Sequence, residues 1–472
     1  MGCGSIVPII GHRCFNLVQN PSFEAGLAGW TATDNVDTFG TSTFEGTQVA
    51  RMGIDVASMF QDIPLAGTDC SPLLLSFNMV SQNQPKFTVE VLWLDSNHNY
   101  ISTGLRMYIC DETTNSRPSD NSRVTFFDIT DAPPAGAVFA RLLFSKDIGF
   151  GESTVSADQV ILVPISTINL VKNYSFELGL TNWTTTTFGS NFDTTLQGAA
   201  STTTDSGGTL FQDILIDNHP ANSSYLFSFG VHTEGDGALN AKVLWLDAGD
   251  NIIGTGLEID IPGDTLALQQ NYLTYLDITD PAALGAVKAR ILFEAVILGD
   301  GTLNIDQVIL ARVSTDNLIQ NPSFEDGANG WTLVDTGINA ENAAYEGQFV
   351  AHVTFTGGAF FQDVPLDGAE GHCYLLNYGL KVLRASGGGV SGNILARVLW
   401  LDNNGVEISL GLSIFSEGTA NPGSITQWLV FTGITEPAPP GTAAARIQFT
   451  KPRSISEESF VQIDKVVFGR LT

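Results

Sequence analysis

Three tryptophans recur at one position of a repeated strand and have the chemistry to contact sugars. The strand reads Val-Leu-Trp-Leu-Asp each time, and its tryptophans are Trp93, Trp245 and Trp400. An aromatic face on a concave sheet can stack on a sugar ring as it does on other apolar planes. Strand alternation also allows the same side to be the core. A tryptophan that recurs in every copy is most simply a packing residue, so we favour the core and keep sugar stacking as the alternative.

Catalytic groups do not recur in this way. The six histidines occupy unrelated positions in the repeats and form no His-x-x-x-His or Ser-His-Asp order. Acidic residues are abundant, so counting them leaves a glycosidase carboxylate pair open. Because the repeats fill the given sequence, we predict that the chain is not an enzyme.

The cysteines are unevenly distributed, and none lies in the second repeat. Their odd number leaves at least one thiol unpaired within the chain, or paired between chains. Two of them flank a short β-prone segment in the N-terminal arm, residues 1–14, which could add a strand to a neighbouring subunit. The candidates for an intermolecular disulfide are Cys3, Cys14, Cys70, Cys110 and Cys373.

These residues belong to a unit that is written three times. The motif Asn-x-Ser-Phe-Glu begins at Asn20, Asn173 and Asn321, and a Gly-x-Trp segment follows each copy. The spacing of about 150 residues is that of a whole domain, not of a solenoid repeat. Further landmarks recur in the same order: Phe-Gln-Asp, the tryptophan strand, an Ala-Arg strand and a closing Asp-x-Val strand.

The repeat defines the domain organisation. Short alternating apolar runs divided by turn clusters predict an all-β chain of three tandem β-sandwich (jelly-roll) domains. The connections are very short, so neighbouring domains should touch and form a semi-rigid rod or arc. We expect an arm at 1–14, module 1 at 15–165, module 2 at 166–313 and module 3 at 314–472.

Composition limits the partners. The formal net charge of −29, with only 21 Lys and Arg residues, argues against nucleic acid and anionic membrane surfaces. No apolar run approaches the roughly 18–20 residues that a membrane helix needs, so we expect no membrane insertion. Few charged residues and many glycines and threonines are typical of an extracellular β-protein.

The repeated pattern resembles the galactose-binding-like jelly rolls, which include carbohydrate-binding modules of xylanases. It resembles more closely a Firmicutes domain that precedes tandem or collagen-like repeats on spore-surface proteins. An Ala-Pro-Pro-Gly-Thr loop, here at 438–442, contributes to this resemblance. The resemblance covers residues from about Phe15 to Thr472 and implies a location outside the cell or on the cell or spore surface.

The resemblance also implies a structural calcium ion between the opening Glu and the closing Asp of each module. Carboxylates and loop carbonyls are ligands that Ca²⁺ prefers. The second module carries Gln197 where the others have a further carboxylate, which makes its site the weakest. The alternative is that each Glu caps a turn and each Asp accepts backbone hydrogen bonds. The implied ligands are Glu24 with Asp158, Glu177 with Asp306, Glu325 with Asp464, and also Glu45 and Glu346.

From these observations we expect a non-enzymatic surface protein that self-associates. Head-to-tail contact through the cysteine-containing arm would give a fibre, appendage or coat layer, because a heterologous contact that does not close produces a filament. The alternative is a carbohydrate-binding or adhesive protein with glycans bound to its modules.

Overall fold

A computed structural model describes most of the chain. The N-terminal arm and Cys110 lie outside the described residues. The described residues form almost entirely antiparallel β-structure, as the sequence predicted, and include one short helix. The described residues are 15–40, 43–68, 70–83, 85–109, 123–149, 151–269, 271–383, 393–416, 427–453 and 459–472.

Module 1 is a sandwich of two five-stranded sheets. The first sheet has the order β1-β4-β9-β6-β7 and the second has the order β2-β3-β10-β5-β8. Apolar side chains alternate along the strands and meet between the sheets, as the strand period of two requires. The strands are β1 (Thr31–Ala32), β2 (Val36–Phe39), β3 (Val49–Met52), β4 (Ala57–Pro64), β5 (Leu73–Gln82), β6 (Phe87–Leu94), β7 (Tyr100–Ile109), β8 (Arg123–Ile129), β9 (Phe139–Lys146) and β10 (Thr154–Pro164).

Module 2 has the same order of pairing, but two of its strands are long enough to cross from one sheet to the other. The long strands β15 and β18 pair with each other along most of their length. Each replaces two separate strands of module 1. The elements are β11 (Thr184–Thr185), β12 (Gly189–Asn191), β13 (Ser201–Thr204), β14 (Gly208–Leu215), β15 (Ser224–Leu246), β16 (Ile252–Ile261), α1 (Gly263–Ala267), β17 (Leu273–Ile278) and β18 (Lys288–Val313).

Module 3 returns to two five-stranded sheets. Their orders, β19-β22-β27-β24-β25 and β20-β21-β28-β23-β26, match those of module 1 strand for strand. The strands are β19 (Thr332–Val334), β20 (Gly337–Ala340), β21 (Phe349–Val353), β22 (Gly358–Pro365), β23 (Leu375–Leu383), β24 (Ile394–Leu401), β25 (Glu407–Ser416), β26 (Trp428–Ile434), β27 (Ala444–Lys451) and β28 (Phe460–Gly469).

The opening motif organises the entry of the chain into each sandwich. In module 1 the Asn20 side chain bonds the backbone of the following turn, donating to Gly26 O at 2.7 Å and accepting from Ala25 N at 3.1 Å. Phe23 is fully buried, and its ring lies 5.4 Å from that of Trp30. Both hydrogen-bonding and packing roles recur in modules 2 and 3, so the motif is a structural unit.

The Phe-Gln-Asp motif ties the central strands together. Gln61 exchanges two hydrogen bonds with the backbone of Gln19. Asp62 binds the guanidinium of Arg141 with both oxygens, at 2.6 and 2.8 Å, and the same guanidinium lies 4.1 Å from the centre of the Phe60 ring. Equivalent Asp–Arg pairs recur in the other two modules. The repeated landmarks are therefore explained by stability of the sandwich.

The three modules form a closed ring with pseudo-threefold symmetry. One backbone amide of each module donates to the carbonyl of an edge strand in the preceding module, and module 1 makes this bond to module 3. We call the contacts between modules 1 and 2, 2 and 3, and 3 and 1 the first, second and third seam. The bonds are Gly198 N to Tyr108 O (2.6 Å), Gly347 N to Asp260 O (2.8 Å) and Gly46 N to Phe415 O (2.7 Å).

Each seam is filled by one side chain from the loop that carries the donating glycine. Leu196 packs into the core of module 1, Tyr345 into that of module 2 and Phe44 into that of module 3. All three are almost fully buried, at 2%, 1% and 2% exposure. The Tyr345 ring stacks 4.3 Å from the ring of Tyr275. Burying a large apolar side chain in this way stabilises by about 1.5–3 kcal/mol.

The strands β8, β17 and β26 meet at the axis of the ring. Thr274 donates to Thr125 O at 2.7 Å, and Thr125 donates to Val430 O at 2.9 Å. Val430, at the equivalent position of β26, has no hydroxyl group and cannot donate the third hydrogen bond, to Thr274 O. The Tyr345 hydroxyl replaces it and donates to Thr274 O at 2.5 Å.

The expected contact between neighbouring modules is confirmed, but the expected rod or arc is wrong. A head-to-tail contact gives an open array only when its rotation does not close. Here three successive rotations return to the first module, and the contact is completed inside one chain.

Replacement of Tyr345 by alanine tests the closed ring. The change removes the stacked ring and the axial hydrogen bond, and we expect the free energy of unfolding to fall by about 3–5 kcal/mol. Urea-induced unfolding measures the loss. Tyr100, which is 62% exposed, is the matched control, and its replacement by alanine should change stability by no more than about 0.5 kcal/mol. Equal effects of the two substitutions would contradict the seam packing.

Candidate functional site

The three repeated tryptophans are core residues, so the alternative of sugar stacking is wrong for them. Trp93, Trp245 and Trp400 are exposed by only 1%, 1% and 0%. Each indole packs against a glycine on the adjacent edge strand. In module 1 a Cβ on Gly104 would collide with the Trp93 ring, and Gly256 and Gly411 hold the equivalent positions. A ring enclosed in this way presents no face to a ligand.

The remaining tryptophans are also buried. Trp30, Trp183 and Trp331 close one end of each core, and each indole N–H donates to the carbonyl of the opening asparagine. Trp428 has no counterpart in the other two modules. It is 2% exposed, and its indole donates to Ala343 O at 2.8 Å.

The glutamates that the resemblance implied as calcium ligands accept backbone hydrogen bonds. Glu24 Oε1 accepts from the amides of Thr47 and Gln48 at 2.7 and 2.8 Å, and Glu24 Oε2 accepts from the Thr47 hydroxyl at 2.8 Å. Glu177 and Glu325 make the equivalent bonds in the other modules. Each glutamate thus holds the loop that carries the seam glycine.

The closing aspartates hold the same loop from the other side. Asp158 Oδ2 accepts from Phe44 N at 2.7 Å and Glu45 N at 3.0 Å. Asp306 and Asp464 accept equivalent bonds from the loops of modules 2 and 3. Burial raises the pKa of Asp158 well above its usual value, as it does for Asp306 and Asp464.

This donor geometry does not fit a calcium ion well. N–H groups point at the carboxylate oxygens that the ion would need, and burial favours the neutral form of the aspartates. Glu346 is paired with Lys465, and Glu45 accepts a hydrogen bond from Ser22. In the described part of the chain, no three His, Cys, Asp or Glu side chains form a group that could hold a metal. Calcium binding therefore stays a prediction of the resemblance.

Two of the five cysteines can be placed. Cys70 and Cys373 each form a disulfide bond in the single chain. These two thiols are therefore not free for the bond between chains that the sequence suggested. Cys3, Cys14 and Cys110 lie outside the described residues, as does the arm.

The modules differ most at the seams. Equivalent positions on the axial strands hold Asp128, Asp277 and Gly433, and the two aspartates face the residue after the closing aspartate of the next module. In the second seam that residue is Lys465, whose Nζ lies 2.7 Å from both Asp277 and Glu346. Burial alone lowers the pKa of Lys465, but the two carboxylates outweigh it and hold this pKa above its usual value.

The first seam has the carboxyl group but not the lysine. Asp128 is 1% exposed and accepts hydrogen bonds from its neighbour Ile129 N at 2.7 Å and from the Tyr174 hydroxyl at 3.3 Å. Gln307 takes the place of the lysine and is 3% exposed. Its side-chain amide interacts with the Asp128 carboxyl and lowers the pKa of that group, although burial has the larger and opposite effect. Burial raises the pKa of Asp128 to about 7.

The third seam carries neither a central carboxylate nor a lysine. Gln159 takes the place of the lysine and accepts a hydrogen bond from Asn78 at 2.6 Å. Asn78 Oδ1 in turn lies 2.6 Å from the Thr125 hydroxyl oxygen. Glu45 lies in the loop of this seam, and burial raises its pKa to about 7. The three seams therefore share a backbone geometry and differ in charge.

A groove of about 380 Å³ opens along the first seam. Module 1 contributes β7 and the segment after β8, and module 2 contributes the segment before its opening motif. Apolar side chains include Leu105, Ile129, Val171 and the 45% exposed Ile168. The polar lining consists of Thr103, Arg106, Thr130, Asp131, Asn169 and Tyr174.

The first seam is distinguished by two residues that break the repeat. Arg106 corresponds to Glu258 and Ser413 in the other modules, and Tyr174 corresponds to Pro21 and Pro322. The Arg106 guanidinium is largely exposed and donates through Nε to Glu90 at 2.7 Å. Sequence reasoning missed this groove, although the tyrosine in the second opening motif was a visible signal.

Comparison with known proteins gives similarity only at the level of solved structures. No family profile and no curated protein matches the chain. A tandem of two family 22 carbohydrate-binding modules from Paenibacillus barcinonensis Xyn10C has 14% identity over 64% of this chain and 99% of that chain, with a TM-score of 0.25. TmCBM61, solved with β-1,4-galactotriose, has 19% identity over 31% and 99%, with a TM-score of 0.24.

A third similar structure is the enzymatically active domain of tailspike protein 4 from bacteriophage CBA120. It has 18% identity over 32% of this chain, with a TM-score of 0.27, and the match spans only 23% of the tailspike chain. Identities and TM-scores as low as these indicate no ligand or activity for the present chain. The sheets themselves define the three β-sandwich modules, and the relation to spore-surface proteins stays a prediction.

The described residues contain no helix that is long and apolar enough to cross a membrane.

Chelation tests the calcium prediction against the observed hydrogen bonds. Since the opening glutamates are already bonded by backbone amides, we expect EDTA to leave the melting temperature unchanged. Replacement of Glu24 by glutamine, which loses a charged acceptor, should destabilise by about 1–3 kcal/mol with or without EDTA. Differential scanning calorimetry measures both. A fall in melting temperature on chelation that added calcium reverses would instead support a metal clamp.

Proposed function

We propose that the protein is a non-catalytic carbohydrate-binding or adhesive protein that acts outside the cell or on its surface. The groove of the first seam is the observation that carries the proposal. It is a concave site that combines apolar and hydrogen-bonding groups, as ligand sites generally do. Its volume of about 380 Å³ lies within the range of small-molecule pockets, about 300–1,000 Å³.

The lining suits the two kinds of surface that a saccharide offers. The exposed side chain of Ile168 and the edges of Leu105 and Val171 match the apolar face of a sugar ring. Arg106 supplies donors and the exposed Asp131 supplies an acceptor, so that neighbouring hydroxyl groups can be bound by charged partners. Charged hydrogen bonds are the stronger ones and would fix the orientation of the ring.

The composition of the groove also supports a binding role over catalysis. Both stereochemical classes of glycoside hydrolysis generally use two carboxyl groups that flank the bond to be cleaved. Among the described lining residues the groove has one carboxylate, Asp131. We therefore propose that a saccharide is held there without being cleaved.

Self-assembly, the first expectation from the sequence, has less support than glycan binding. The arm that would link the subunits lies outside the described residues. Cys70 and Cys373 are already disulfide-bonded, and the head-to-tail contact of the modules closes within the chain. These observations supply no second surface for a polymer.

Glycan binding and its dependence on Arg106 test the proposal. A glycan array identifies a saccharide, and isothermal titration calorimetry then compares its affinity for wild type and Arg106→Ala. Loss of hydrogen bonds to a charged group costs about 1.5–3 kcal/mol, so we expect Kd to rise at least about tenfold. The matched control is Glu258→Ala, at the equivalent position of the second seam, which should leave Kd unchanged.

Two results would contradict the proposal. If the protein bound no saccharide on the array, the proposed carbohydrate binding would be contradicted. Equal losses of affinity in Arg106→Ala and Glu258→Ala would remove the first seam as the site.

A further inference from the structure

The pseudo-threefold symmetry allows the charge at each seam to be compared at equivalent positions. The second seam joins Asp277 and Glu346 to Lys465, so its two buried carboxylates share one cation, whose Nζ lies 2.7 Å from each. The first seam presents Asp128 to Gln307, which carries no charge. One seam therefore contains an ion-pair network, and the other contains a buried acid without a cation.

The surroundings of Asp128 give it no compensating positive charge. The groups that face it are the Tyr174 hydroxyl and the Gln307 amide of module 2 and, at longer range, the carboxylate of Asp131. Asp306 lies on the same side and acts on Tyr174. No ion pair of Asp128 occurs among the described residues. An ionised Asp128 would thus be a buried, uncompensated charge, which is costly unless water reaches it.

The neighbouring amide indicates where water would enter. Gln307 is 3% exposed, and its side-chain amide interacts with the Asp128 carboxyl. An opening of the seam that admits solvent would hydrate both members of this buried pair. Asp128 and Gln307 therefore both gain hydration from the same small opening.

Tyr174 links this opening to the groove. Its hydroxyl donates to Asp128 Oδ2 at 3.3 Å, and the residue also lines the groove of the first seam. The other two seams have proline at this position and lack such a link. A change in the protonation of Asp128 therefore acts, through Tyr174, on the groove that would contact a ligand.

We propose that the first seam is a proton-controlled joint, in which neutral Asp128 keeps the groove formed and ionised Asp128 loosens it. The joint itself requires no ligand, whereas its effect on saccharide affinity rests on the proposed function. The second seam, in which Lys465 pairs with both Asp277 and Glu346, stays closed over the same pH range.

The direction of the pH effect follows from the raised pKa. Burial moves the pKa of Asp128 from its ordinary value of 3.8 to about 7. The stabilisation from Asp128 is present in full below the ordinary pKa and is lost as the pH rises through the folded-state pKa. Between these two values, opening of the first seam should become about tenfold more favourable for each pH unit, and above about pH 7, where Asp128 is ionised in the closed seam as well, the dependence should level off.

Hydrogen exchange in the full chain tests the joint. Exchange rates of residues 128–131 and 168–176, corrected for intrinsic rates, are measured from about pH 5.5 to about pH 8.5. Other buried acids titrate as well, so the result is the difference between wild type and Asp128→Asn. We expect wild type to lose protection by about tenfold per unit from about pH 5.5 to about pH 7 and to level off above it, and Asp128→Asn to show no such slope.

Gln307→Lys provides the matched rescue, because it gives the first seam the cation that the second seam has. We expect this variant to keep its protection at alkaline pH. Identical pH slopes in wild type and Asp128→Asn would overturn the joint, and this comparison stands even if Gln307→Lys fails to fold.

Titration calorimetry across the same pH range separates the joint from the proposed function. Weaker saccharide binding at alkaline pH in wild type, but not in Asp128→Asn, would support the coupling. A pH-dependent seam in a protein that binds no saccharide would support the joint and remove the proposed function. Equal affinity across the range in wild type would overturn the coupling to binding.

Discussion

The insertion of one side chain from each module into the core of the previous one is the contact on which the structure depends. Phe44, Leu196 and Tyr345 leave their own sandwiches and complete those of their neighbours. Each module is thus both donor and acceptor of a buried group. Since both roles are filled in all three modules, the ring has no unfilled interface, and breaking one seam exposes apolar surface on two modules.

This constraint explains why the repeated landmarks are mostly not functional. The opening glutamates and closing aspartates accept hydrogen bonds from the loop that carries the inserted side chain. In each module a glycine lies two residues after that side chain. A Cβ on Gly46 would collide with the Glu24 carboxylate, so the glycine allows the carboxylate to approach the loop. The carboxyl groups that suggest a metal site in the sequence accept, in the structure, hydrogen bonds from the loop that forms the seam.

The sequence was sufficient for the sandwich and insufficient for the ring. Strand periodicity and the recurring motifs predicted three all-β modules, because both depend on local alternation of side chains. Closure depends on contacts such as Thr125 with Val430 and Tyr345 with Thr274, which join different modules and follow no periodic pattern. The tryptophan strand shows a second limit, since alternation groups residues by face but does not say which face is the core.

The candidate groove was not predicted from the sequence, because it is lined by residues that differ between the modules and the sequence analysis relied on residues that recur. Residues that the common fold requires should occur in all three modules. A residue that differs in one module is therefore not required by that fold. Tyr174 in place of proline and Arg106 in place of Glu258 and Ser413 both occur at the first seam. These two departures give the first seam a surface chemistry of its own, while the backbone contacts that close the ring are shared by all three seams.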